Sequence, residues 1–133
     1  MPLRGIRGAT SVDKNSKDEI IKRTVELLEV MTEKNRVKVE DVASAFFSVT
    51  SDLDAEFPAV AARKIGWIYT PLLCLNEIDV PGALKSCVRV LLHVNCQFPQ
   101  EDIVHVYLHN AKKLRPDLEF GNEDSEKEYY FSG

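Results

Sequence analysis

The sequence predicts an α+β domain, a mixed β-sheet of about five strands with two helices on one of its faces. Three observations carry this reading. Residues 84–96 form an apolar run that alternates with period two, the spacing of a strand. Residues 16–35 instead repeat their apolar side chains at helical spacing behind a capping motif. Strand-like and helix-like stretches then follow one another as β-α-β-α and afterwards as strands only. A chain of 133 residues, 44% hydrophobic and 29% charged, suits one core. Residues 1–120 are therefore expected to form a single domain, and 121–133, polar and acidic, a flexible C-terminal tail.

Residues 3–12 read as the first strand, with Leu3, Gly5, Arg7 and Ala9 on one face and Arg4, Ile6, Gly8 and Thr10 on the other. Ser16-Lys17-Asp18-Glu19 is a capping box, in which Ser16 accepts from the Glu19 amide and the Glu19 carboxylate reaches back to Ser16. The helix it opens turns Ile20, Ile21, Thr24, Leu27, Leu28 and Met31 to the core and ends near Asn35. In residues 42–49 Ala43, Ala45, Phe47 and Val49 alternate with Val42, Ser44, Phe46 and Ser48; a phenylalanine on each face implies that both are covered. Pro58 starts a short helix that Gly66 stops. Residues 71–75 form a short strand with Glu77 just past its end. In residues 103–108 Val104, Val106 and Leu108 share one face, while His105, Tyr107 and His109 share the other. Residues 114–118 read as extended. Two helices cannot cover both faces of such a sheet, so the open face is expected to pack against other subunits.

In the run 84–96, Val88, Val90, Leu92 and Val94 form a plain core face, but Cys87, Arg89, Leu91 and His93 lie opposite. A guanidinium inside a strand is costly unless acceptors or an anion meet it. Either a structural ion pair or an anionic ligand answers that requirement. Arg7 is a second arginine in mid-strand, flanked by Gly5 and Gly8, which leave room for a close approach. Gly5-Ile6-Arg7-Gly8 has the letters of a GxxG nucleic-acid clamp but lies in a strand rather than between helices.

The net charge of −4 and pI near 5.4 give no field for polynucleotides or anionic membranes. No stretch is long and apolar enough to span a bilayer, and residues 1–5 lack the apolar core of a signal peptide, so a cytoplasmic protein is expected. Cys74, Cys87 and Cys96 are odd in number, without CxxC spacing, and read as reduced, buried thiols. His105 and His109 lack partners spaced for a metal site; no metal is expected.

Arginines beside apolar, Gly or Pro contexts, together with a tyrosine and one carboxylate, suit a small dianion that also carries a hydroxyl: guanidinium forks onto carboxylates, and Glu77 can accept from an O–H. No paired nucleophile, phosphate loop or dinucleotide fingerprint is present, which leaves a reaction run by positioning and electrostatics. Residues 4–10, Asp52-Leu53 with Phe57-Pro58-Ala59, residues 74–80, Cys87-Val88-Arg89-Val90, His105-Val106-Tyr107-Leu108 and residues 114–118 together resemble the AroH-type monofunctional chorismate mutases, in order and without large gaps. The resemblance implies the chorismate mutase fold and a homotrimer with a barrel-like β core and active sites at subunit interfaces. It implies the [3,3] rearrangement of chorismate to prephenate, with no covalent intermediate and no cofactor. By motif, Arg89 faces the ether oxygen and a carboxylate, Arg7 and Tyr107 hold carboxylates, and Glu77 and Cys74 approach the ring hydroxyl. Leu114 and Arg115 close the mouth, and Phe57, Ala59 and Arg63 come from the neighbouring subunit. Val60 stands where some members carry lysine, and residues 63–67 are one residue short. The competing reading is a non-catalytic trimeric sensor of a small dicarboxylate, which would have no reason to aim a cation at an ether oxygen.

Overall fold

The computed structural model describes residues 1–114 and the backbone of Tyr129–Ser132. Strands β1 (Leu3–Ser11), β2 (Val42–Val49), β3 (Leu72–Asn76), β4 (Cys87–Asn95), β5 (Val104–Tyr107) and β6 (Tyr129–Ser132) form one mixed sheet in the order β3-β2-β4-β1-β5-β6. The β4 strand lies antiparallel between β1 and β2, so the arginine-bearing strand is central. The pairs β2/β3 and β1/β5 are parallel. Five strands were expected. The sixth lies within the segment expected to be a flexible tail, where the backbone of Tyr129–Ser132 instead pairs antiparallel with β5.

Helix α1 (Lys17–Lys34) buries the stripe Ile20, Ile21, Thr24, Leu27, Leu28 and Met31. Only half of the expected capping box forms. The Glu19 amide donates to Ser16 Oγ at 3.2 Å, but the Glu19 carboxylate turns to Arg23 at 3.5 Å, and the Ser16 amide donates to the Lys14 carbonyl. At the other end buried Asn35 donates to the carbonyls of Met31 and Val104 and accepts from the Val104 amide, each at 2.8 Å, tying the helix end to β5. Helix α2 (Ala59–Lys64) has Pro58 as its N-cap rather than its first residue, and Gly66 beyond it has φ 94°, a left-handed turn that glycine adopts without strain.

The alternation assigns the two faces. Ile6, Ala45, Phe47, Val88, Val90, Leu92, Val94 and Val106 pack with the α1 stripe, Ala62 and Trp67 in the main core. Gly8 belongs to this face because Met31 occupies the space its Cβ would need. One correction concerns Val42. A register shift between Val42 and Ser44 places it with the core residues, not with Phe46. Within the single chain, Phe47 is fully buried, whereas Phe46 on the opposite face is half-buried. That face also exposes Leu73 (51%) and Leu75 (49%). Among the described residues, no helix is long and apolar enough to cross a membrane.

Candidate active site

The open face of the sheet gathers the polar residues. Ser48, Arg89, Ala9 and Tyr107 stand opposite one another across β2, β4, β1 and β5, and therefore point the same way. Two residues along, Arg7 stands opposite Leu91. Glu77 follows β3 directly, and its amide donates to the Val49 carbonyl at 2.8 Å, which fixes where the carboxylate emerges. Arg7, Phe46, Ser48, Glu77, Arg89 and Leu91 line a cavity of about 620 Å³. On its other side, Arg89 and Glu77 also line a cavity of about 300 Å³ with Asp52, Asp79 and Lys85.

Within the pair, Arg89 Nε lies 3.4 Å from Glu77 Oε1, with the side chains 31% and 26% exposed. No hydrogen bond joins them: Ser48 Oγ donates to the same Oε1 at 2.5 Å, and the buried Arg89 Nε has no hydrogen-bond partner. A guanidinium donor held in a strand without an acceptor is the costly arrangement that an anionic ligand relieves. Cys87, buried on the same face, has its thiol pushed up to about 11 by burial, against the pull of the neighbouring Arg89 charge. It is a packing residue, clustered with Ala9, Tyr107 and Ala111.

The other expected site residues divide. Tyr107 is fully buried beneath the 3-10 turn His109–Leu114, with the Arg7 guanidinium 6.0 Å from its ring centroid. Leu114, expected to be extended, belongs to that turn and packs on the Cys87 and Tyr107 cluster. Arg115 lies outside the described residues. Cys74 stands opposite Phe47, so it lies on the helix-covered face and not beside Glu77. It lines a separate cavity of about 410 Å³ with Leu53, Phe57 and Pro58, and its thiol is raised by partial burial, opposed by the Ala59 amide. It is half-buried rather than buried. Phe57 is 68% exposed. Arg63 donates to the carbonyls of Trp67 and Ile68, a use of its charge at the end of its own helix.

Among the described residues, no three His, Cys, Asp or Glu side chains converge as metal ligands. His105 Nδ1 accepts from the Arg7 amide at 3.0 Å. His109 departs from the expected alternation: β5 ends at Tyr107, and a φ of 54° turns His109 toward α1, where Nε2 meets Glu26 at 2.8 Å. Sequence reasoning missed Ser48, whose only signal was its place in β2 opposite Arg89, and Asp52, which accepts from Thr50 Oγ1 and from the amide and hydroxyl of Ser86. Burial opposes ionisation of Asp52, but these donors outweigh it and hold the carboxyl below its ordinary value.

Such a fold and cavity set two guanidinium groups, Arg7 and Arg89, beside one carboxylate, Glu77, on the open face of a mixed sheet, a set of groups chemically suited to a small anion that carries a hydroxyl. Residues 3–118 match the family model for chorismate mutase type I, and the chain belongs to that family. It is 49% identical to the chorismate mutase AroH of Bacillus subtilis over 119 residues, covering 89% of this chain and 94% of that one. It is 47% identical to the chorismate mutase AroH of Thermus thermophilus over 118 residues, covering 88% and 97%. A solved chorismate mutase from Clostridium thermocellum superposes with a TM-score of 0.81 at 54% identity, covering 82% of this chain and 97% of that structure.

Proposed function

We propose that this chain is a cytoplasmic chorismate mutase that converts chorismate to prephenate, in aromatic amino acid biosynthesis, by binding the reactive conformer and stabilising the charge that develops. The step is an intramolecular [3,3] rearrangement: one C–O bond breaks as one C–C bond forms, with no net oxidation and no proton lost. No nucleophile or cofactor is therefore required, and catalysis rests on geometry and electrostatics. The observation that carries the reading is the buried Arg89 Nε, which has no hydrogen-bond acceptor although Glu77 is 3.4 Å away.

In this reading Arg89 stabilises negative charge growing on the ether oxygen, and Arg7 and Tyr107 hold carboxylates. Glu77 accepts from the ring hydroxyl. The active chain is a homotrimer, its open sheet faces forming a barrel-like core and its sites completed at the interfaces. Exposed Leu73 and Leu75 support this, since that face is too apolar to stay wet. So does the distribution of the expected site residues within one chain, where Phe57 and Cys74 line one cavity and Arg7 and Arg89 another, with Leu75 and Asn76 of β3 common to both. A neighbour would bring Phe57, Ala59, Arg63 and Cys74 to the arginines, while Leu114 and Arg115 close the mouth. The deciding experiment incubates the purified chain with chorismate and follows its loss and the appearance of prephenate; an unaltered chorismate spectrum refutes the activity. Light scattering at micromolar protein should return three times the mass of the chain, and a monodisperse monomer refutes the assembly.

A further inference from the structure

We propose that Ser48 is a positioning residue for this reaction: its hydroxyl holds Glu77 off the Arg89 fork and so keeps the guanidinium available to substrate. The inference rests on the reading that Arg89 and Glu77 act on chorismate. An arginine and a carboxylate this close ordinarily form a two-pronged pair, in which two N–H groups meet two oxygens. Here they do not. Closest approach is 3.4 Å, without a hydrogen bond, and the Arg89 Nε is left buried and unmatched. The reason lies in the register of the sheet. Ser48 stands directly opposite Arg89 across β2 and β4, so its short side chain shares that face. From there Oγ donates to Oε1 at 2.5 Å, a charge-assisted bond that takes the oxygen nearest the guanidinium. The Glu77 amide, bonded to the Val49 carbonyl one residue beyond Ser48, anchors the other end of the same residue. Glu77 is thus held by its backbone and by Oε1. Among the described residues, no donor meets Oε2, the oxygen suited to a substrate hydroxyl.

Without the hydroxyl, nothing on β2 opposes collapse of the carboxylate onto Arg89. Substrate must then break a tight ion pair before the guanidinium can serve it, and Glu77 no longer faces the ring hydroxyl.

The test compares Ser48→Ala, Ser48→Thr, Glu77→Ala and the Ser48→Ala/Glu77→Ala double variant, with kcat and KM from chorismate consumption and a crystal structure of Ser48→Ala. Ser48→Ala should lower kcat/KM about tenfold or more, the scale of losing a hydrogen bond to a charged group. Ser48→Thr, which keeps the hydroxyl, should retain most of the rate. In the Glu77→Ala background the Ser48→Ala change should cost less than about twofold, because a residue that acts through Glu77 has nothing left to position. The Ser48→Ala structure should show Glu77 hydrogen-bonded to Arg89. An equal loss in both backgrounds marks Ser48 as merely structural and overturns the proposal, as does an unchanged kcat/KM in Ser48→Ala or a Glu77 that stays off Arg89 in its structure. If the unmodified chain does not turn over chorismate, the functional reading fails by itself, while the crystal structure still decides whether Ser48 holds the carboxylate.

Discussion

Replacing Arg89 with alanine separates a catalytic cation from a structural one, because the structure assigns the two roles different magnitudes. If Arg89 stabilises the ether oxygen in the transition state, its loss removes one aimed donor. Such a loss costs about 2.7–4 kcal/mol, or roughly a hundredfold to a thousandfold in kcat. Its contribution to folding is much smaller. The Glu77 pair is partly open to solvent, with no hydrogen bond between the partners, and Glu77 keeps the Ser48 donor when the arginine is gone. Breaking it should cost about 1 kcal/mol, nearer to an exposed pair than to the 3–5 kcal/mol of a fully buried one. Chorismate consumption at saturating substrate gives kcat, and urea denaturation of the same preparation gives stability. The expected result is a folded assembly with kcat down at least about a hundredfold. Arg89→Lys should fail nearly as badly, since an ammonium keeps the charge but not the planar fork that serves a carboxylate and an ether oxygen together. Near-normal kcat in folded Arg89→Ala refutes the catalytic assignment. A large stability loss with kcat retained identifies a structural ion pair instead.

Gly8→Ala would drive a Cβ into Met31 Sδ and to 3.0 Å from its Cγ, inside a fully buried core. It should lower stability by about 1–3 kcal/mol in urea titration, and much less when combined with Met31→Ala; equal losses in both backgrounds would rule out the clash. Asp52 has a folded-state pKa below its ordinary 3.8, so its contribution is full above that value and is lost as pH falls through the lower folded value. Asp52→Asn should therefore flatten the acid limb of the stability curve below about pH 4, and an unchanged limb would contradict the role of the Thr50 and Ser86 donors. Cys87, buried with its thiol raised to about 11, should resist iodoacetamide at pH 8 in the native protein and react only on unfolding. Peptide mass spectrometry that finds native Cys87 labelled as fast as the unfolded chain would refute that packing.

What was legible in the sequence were the features with short-range causes. The α1 stripe follows from a 3.6-residue repeat, and all six residues read from it are buried. The faces of β1 and β4 follow from strict alternation, which singled out Arg7 and Arg89 before any partner was known. Illegible were the features decided by long-range pairing. The irregularity in β2 moves Val42 to the core face, because an extra residue reverses the alternation on one side of it, and no local signal marks the spot. The family motif takes Cys74 to the ring hydroxyl, but only its pairing with Phe47 reveals that it lies on the other face of its own sheet, from which it would serve a neighbour's site. His109 read as a continuation of β5 until the left-handed turn redirected it to Glu26. Ser48 is a small polar residue in an ordinary alternating strand, and only the register with β4 makes it a partner of Glu77.

The same alternation explains how one strand serves both stability and chemistry. Along β4 every even position from Val88 to Val94 is buried against the helices, and every odd position from Cys87 to His93 faces away from them. The two sets are therefore physically separate although they are covalent neighbours. Large apolar groups hold the strand rigid from one side, which fixes the Cα of Arg89 without placing any packing demand on its guanidinium. The sheet can then tolerate an imperfectly paired arginine, since the energy that holds it together resides in residues on the opposite face. A one-residue slip of β4 against β1 and β2 would exchange the sets, burying Arg89 against α1 and exposing the valines. The penalty for that exchange is what specifies the register. The register in turn sets Ser48 opposite Arg89 and brings Glu77 within 3.4 Å, so the placement of the polar site is a consequence of the packing of the apolar core.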